Sequence, residues 1–108
     1  MDEKRYMEAI DRTMNEELTE KEKLSMLALG LAGEMGEVVD MIKKAVYHGH
    51  PMDIDELTKE LGDIEWYRNH LMKHFNINPE IVRINNVMKL QKRYKNGFSE
   101  KDSINREE

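Results

Sequence analysis

Apolar residues recur at three- and four-residue steps along most of the chain, the spacing that lines one face of an α-helix. Tyr6, Met7, Ile10 and Met14 follow it first and predict a helix from about Asp2 to Glu17. Thr19 with Glu22 three residues later is a capping box, in which each side chain satisfies the other's backbone N–H. A second helix is predicted from there to about Tyr47, where Gly49 and Pro51 stop it. Asp53 with Glu56 opens a third helix that reaches Phe75. Asn78-Pro79 supplies a cap and a first-turn proline for a fourth, ending near Asn96-Gly97. Strand-like alternation and fixed-period repeats are absent from the sequence. The pattern predicts an all-α fold, an antiparallel bundle of about four helices, because short connections force neighbouring helices to run in opposite directions. Residues 1–98 are expected to form one domain and residues 99–108 a polar tail.

The second helix is apolar on more than one side. Leu24, Leu27, Leu31, Met35, Val38, Ile42 and Val46 form one stripe, while Met26, Leu29 and Met41 lie elsewhere. Such a helix is expected at the centre of a bundle. Gly30, Gly33 and Gly36 interrupt it, each at a cost of about 1 kcal/mol in helix propensity relative to alanine. Close approach of another helix or a ligand is the expected compensation; a break in the helix is the alternative.

Composition narrows the chemistry. At 108 residues, 39% hydrophobic and 36% charged, the chain is too apolar at periodic positions for disorder. It also lacks the roughly 20-residue apolar run of a membrane span. Met1-Asp2-Glu3-Lys4-Arg5 has no apolar core of a secretion signal, so a cytoplasmic, soluble protein is expected. Without cysteine, any metal must be held by oxygen or imidazole. A net charge of -5 argues against nucleic acid as a partner, but a local cation can still draw a small anion into a pocket.

The candidate chemistry lies in two acidic pairs. Glu34 and Glu37 are three residues apart on the second helix, and Glu60 and Asp63 three apart on the third, so each pair shares a helix face. Both pairs border an apolar stripe. If the two helices pack antiparallel, four carboxylates converge, and their repulsion calls for a cation. Hard oxygen ligands suit Mg²⁺ or Mn²⁺, and magnesium commonly takes its remaining ligands from substrate phosphates. A single E-x-x-E usually marks a solvated face; two such pairs on consecutive helices, interleaved with Gly33, Gly36 and Gly62, point further.

Leu29-Gly-Leu-Ala-Gly-Glu-Met-Gly-Glu37 resembles the MazG-like all-α nucleoside triphosphate pyrophosphohydrolases. The likeness continues through Lys43-Lys44, His48-Gly49-His50, Glu60-Leu-Gly-Asp63 and Asn86-x-x-Lys89-Leu-x-x-Arg93-Tyr94, to Asn96-Gly97-Phe98. It implies cleavage of a nucleoside triphosphate to the monophosphate and pyrophosphate, in a house-cleaning or nucleotide-pool role. It further implies Mg²⁺ held by Glu34, Glu37, Glu60 and Asp63, with Glu37 orienting or deprotonating the attacking water, and assembly as a homodimer or dimer of dimers.

Substrate phosphate needs cationic partners as well. Asn86, Lys89 and Arg93 share one face of the fourth helix and match the family's stretch; the simpler reading is that Lys89, Lys92 and Arg93 are positive C-terminal turns that complement the helix dipole. Lys44, among Lys43, His48 and His50 at the end of the second helix, is a further substrate contact or a capping cation. Trp66 and Tyr67 offer rings for a base or for packing. His70 and His74, one turn apart, suit a metal or, more simply, a solvated or partner-facing side. Two other classes stay open: a catalytically silent helical dimer that binds nucleotide or a protein partner, and a bundle whose acids are only surface.

Overall fold

The computed structural model describes residues 1–106, so Glu107 and Glu108, the end of the expected tail, lie outside the described residues. The expected all-α architecture is present: α1 (Glu3–Asp11), α2 (Glu20–Tyr47), α3 (Ile54–His74), α4 (Pro79–Arg93) and α5 (Glu100–Ile104), with no strand among the described residues. The helices belong to two compact units, Met1–Asn76 with α1 to α3 and a second unit beginning at Ile77 with α4 and α5.

Helix starts follow from local chemistry. Thr19 Oγ1 accepts from the Glu22 N–H at 3.1 Å while Glu22 accepts from the Thr19 N–H at 3.0 Å, the reciprocal capping box. Asp53 accepts from the Glu56 N–H at 3.1 Å and Asn78 from the Glu80 N–H at 2.8 Å. Thr19→Ala is expected to cost about 1 kcal/mol. The check is a lower urea midpoint with an unchanged slope.

Helix ends diverge from the sequence pattern in two places. The first helix stops at Asp11 instead of continuing to Glu17. Its last bonds tighten, with the Thr13 and Met14 N–H groups donating to the Ile10 and Asp11 carbonyls, and the Thr13 hydroxyl also caps Ile10 at 2.6 Å. Asn15 then accepts from the Glu17 N–H at 3.0 Å. The fourth helix ends at Arg93, short of Asn96-Gly97, because a turn closes from the Tyr94 carbonyl to the Gly97 N–H, with Gly97 at φ 84°. The stretch expected to be only a polar tail contains α5, whose N-cap Ser99 accepts from the Asp102 N–H at 3.0 Å.

In the first unit α2 and α3 run antiparallel. Glu37 lies beside Glu60, Gly30 against Tyr67, and Glu20 beside His74, so moving back along one helix means moving forward along the other. Helix α1 packs on α3 as well. Ile10, Leu27 and Met72 form the buried apolar set.

The expected apolar stripes are only partly covered. On α2, Leu27 is buried but Met35, Ile42 and Val46 are exposed; on α3, Leu61 and Phe75 are exposed while Asn69 and His70 are buried. Packing of α1 and α2 on α3 explains this: their contacts turn part of the polar strip of α3 inward. Asn69 is accommodated because its amide donates to the Glu65 carbonyl at 2.8 Å.

Candidate functional site

The inward-turned strip of α3 meets the Gly33-to-Glu37 stretch of α2, and acids from both helices converge there. One carboxylate oxygen each from Glu34, Glu37 and Glu60 lies within 4.8 Å of the others, the one group of this kind among the described residues. Spacing explains the pair on α2, since residues three apart share a face, and the antiparallel register delivers Glu60 opposite them.

The electrostatics are those of like charges crowded together. Glu37 is pushed above the usual carboxylate range, first by sharing a hydrogen bond with Glu60, then by the charge of Glu60, desolvation and the charge of Asp63. Glu60 also ends up raised: its hydrogen bond with Glu37 pulls it down, but Glu34, desolvation and the charge of Asp63 together push it up. The Oε2 atoms of Glu34 and Glu60 are buried and receive no hydrogen bond from any described residue. Buried carboxylate oxygens without donors are costly unless a cation takes their place. A hard divalent cation fits this donor set, which is all oxygen.

Asp63 lies outside that trio. It is exposed, close enough to raise both Glu37 and Glu60 by its charge, and it lines a neighbouring cavity with Thr13, Glu34, Trp66 and Tyr67. Three residues beyond Glu60 it has turned onward around α3, toward the aromatic pair. Tyr67 rests on Gly30: a Cβ added there would fall 2.1 Å from its Cε1. Gly30 therefore has the close approach its propensity cost calls for. Gly33 and Gly36 have nothing within 4 Å of an added Cβ among the described residues.

Of the other candidates, Lys44 is ion-paired with Asp40 at 2.9 Å, beside Lys43 at 3.0 Å. The two hydrogen bonds, Lys44 first, hold Asp40 down to about 2. His48 caps α2 through its N–H on the Lys44 carbonyl, and His50 donates its N–H to the same oxygen at 3.2 Å. Asn86, Lys89 and Arg93 lie on α4 in the second unit; Asn86 is exposed, and the Arg93 guanidinium lies 5.8 Å from the Tyr94 ring centre.

The expected solvated or partner-facing side for His70 and His74 is corrected. His70 is buried, its Nδ1 3.7 Å from Asp11 and its ring 4.3 Å from that of Trp66; His74 is half-buried, 3.8 Å from Glu20. Burial holds His70 below the usual imidazole range. The residue that periodicity missed is Thr13. Placed within a continuing first helix by its neighbours' spacing, it instead accepts from the Trp66 indole N–H at 2.8 Å in the turn after α1. Thr13 and Asn15, whose side chains can bond the nearby backbone, were the signal for that turn.

Residues 22–98 match the sequence model of the MazG nucleotide pyrophosphohydrolase domain. The chain is also similar to the Gene 37 protein of Mycobacterium phage L5, with 33% identity over 89 residues, covering 79% of this chain and 78% of that protein. No solved structure gives a significant match. No helix among the described residues is long and apolar enough to cross a membrane.

Proposed function

The chain belongs to the MazG nucleotide pyrophosphohydrolase family, and from that premise we propose that it hydrolyses nucleoside triphosphates, ribo- or deoxyribo-, to the monophosphate and pyrophosphate with Mg²⁺ or Mn²⁺. The observation that carries this reading is the meeting of Glu34, Glu37 and Glu60 from two helices, with two buried oxygens lacking any described donor. A catalytically silent scaffold gains nothing from keeping such charges together.

Glu34, Glu37 and Glu60 are the residues proposed to hold the cation, with Asp63 at the margin. When bound, the cation supplies a Lewis acid and charge neutralisation for the triphosphate. Glu37, the exposed member of the trio, is the residue proposed to orient water and to accept its proton at a carboxylate oxygen. Asn86, Lys89 and Arg93 are proposed substrate contacts carried by α4, and Lys44 a further one once exchanged from Asp40. Exposed apolar residues on α2, among them Leu29, Val39 and Val46, support closure of the bundle by a second copy.

The test is pyrophosphate release from a panel of triphosphates with Mg²⁺ and with EDTA. Release that EDTA abolishes and added Mg²⁺ restores is expected; none from any substrate would sink the reading. Cation affinity should also fall with acidification earlier than for ordinary glutamates. Ligation requires Glu37 and Glu60 ionised, and both hold their protons to higher pH than usual. Calorimetric Mn²⁺ titrations between about pH 8 and 5 should show weakening by up to roughly tenfold per pH unit for each of the two protons taken up once the raised range is entered. Affinity that stays flat down to the ordinary glutamate range would contradict the coupling.

A further inference from the structure

Against the acid cluster, within the first unit, lies a cavity of about 270 Å³ lined by Thr13, Glu34, Asp63, Trp66 and Tyr67. It shares Glu34 with the trio. Its Thr13 wall comes from the turn after α1, upstream of the residues 22–98 that match the family. We infer that this cavity receives the nucleobase of the substrate on Trp66, and that Thr13 is the positioning residue that holds the indole for it. The inference rests on reading the acid trio as a triphosphate site.

Charge and size select the occupant. An anion seated between Glu34 and Asp63 is repelled unless a cation accompanies it, whereas a flat neutral ring is not. The volume is below the range of whole drug-sized ligands and suits one ring system. A triphosphate anchored at the trio has its other end within reach, because Glu34 belongs to both places.

Hydrogen-bond accounting fixes how the wall works. Tryptophan has one donor, and Trp66 gives it to Thr13 Oγ1 at 2.8 Å. Threonine has one hydroxyl proton, and Thr13 gives it to the Ile10 carbonyl at 2.6 Å. Neither retains a proton for a base edge, so this wall binds by its ring face. The indole is held on its other contacts by His70, ring centres 4.3 Å apart, and by the edge of Tyr67 at 4.9 Å and 73°. A ring fixed on several sides loses little freedom when a base stacks on it.

Trp66 is the single tryptophan, so emission excited to the red of tyrosine absorption reports on this wall. With Mg²⁺ present, α,β-methylene nucleoside triphosphates are expected to quench it, and inorganic tripolyphosphate, which lacks a base, is not. Thr13→Val should raise KM for nucleoside triphosphates by about tenfold, the range of one lost base stack, with kcat within about twofold. Thr13→Ser should restore KM, and inhibition by tripolyphosphate should be the same in all three proteins.

Equal quenching by tripolyphosphate, no quenching by nucleotides, or an unchanged KM in a folded Thr13→Val protein would each overturn the inference. If Thr13→Val fails to fold, the emission comparison on the unaltered protein decides. If no triphosphate is cleaved at all, the enzymatic reading fails separately. Nucleotide-specific quenching then still upholds the cavity as a base site, and its absence still overturns it.

Discussion

Glu37→Gln and Glu60→Gln should each lower cation-dependent kcat/KM at least about 100-fold while leaving the metal-free protein as stable as before or more so. The activity loss follows from position. Partners that merely orient a metal ligand are worth about 10- to 100-fold, and these residues supply the ligand oxygens themselves. The stability gain follows from the sign of their pKa shifts. Both carboxyls are raised in the folded chain, so the folded state holds more protons than the unfolded one over that window. Folding stability of the metal-free protein therefore falls as pH rises from the ordinary glutamate range through the raised values. At neutral pH the full repulsion is present, and an uncharged glutamine relieves it. Asp40 has the opposite sign: held down to about 2, it contributes stability above the ordinary aspartate range that is lost as pH falls toward 2.

Thermal scans in EDTA at pH 7 and pH 5, beside pyrophosphate assays, check both halves. A variant that loses activity together with folded-state stability would make these acids structural. One that keeps activity would remove them from the centre.

How much of this was legible beforehand depends on the range of the interaction. The caps at Thr19, Asp53 and Asn78 were readable because donor and acceptor lie within three residues, so local sequence determines them. The facing of Glu34 with Glu37 was readable for the same reason. Their meeting with Glu60 was an expectation conditional on antiparallel packing, since register between helices is set by contacts such as Tyr67 on Gly30, which periodicity does not encode. The same dependence hid that Asp63, beside the acid trio, also lines the aromatic cavity. His70 looked polar and outward until α1 supplied Asp11 and a backbone neighbour on that side. Met35, Ile42 and Val46 looked like core because a stripe reports what wants burial, and nothing in one chain covers all of it. These exposed residues and the unfilled space over Gly33 and Gly36 lie on the same helix as Glu34 and Glu37, which is why assembly and activity are expected to be linked.

The three glycines of α2 turn that register into a second large expected effect. Gly30→Ala should destabilise the chain by about 1–3 kcal/mol, the usual cost of forcing extra atoms into a packed contact, even though alanine is the better helix former by about 1 kcal/mol. The added Cβ would fall 2.1, 2.4 and 2.8 Å from Tyr67 Cε1, Cζ and Cδ1, all ring atoms that cannot bend away individually. Relief requires the whole ring to swing, and Trp66, packed edge-on against it at 4.9 Å, resists. Gly33→Ala meets nothing within 4 Å, so only the propensity gain remains and stability should rise by up to about 1 kcal/mol. Pairing Gly30→Ala with Tyr67→Leu should recover much of the loss, because removing the ring removes the clash; the two changes are then strongly non-additive. Urea unfolding of the unaltered chain, the Gly30→Ala, Gly33→Ala and Tyr67→Leu single variants and the Gly30→Ala/Tyr67→Leu double variant over a concentration series separates this from any effect of association. Equal effects at Gly30 and Gly33, or simple additivity at Gly30 and Tyr67, would mean that Tyr67 does not rest on α2. The register that brings Glu60 to Glu34 and Glu37 would then lose its nearest support.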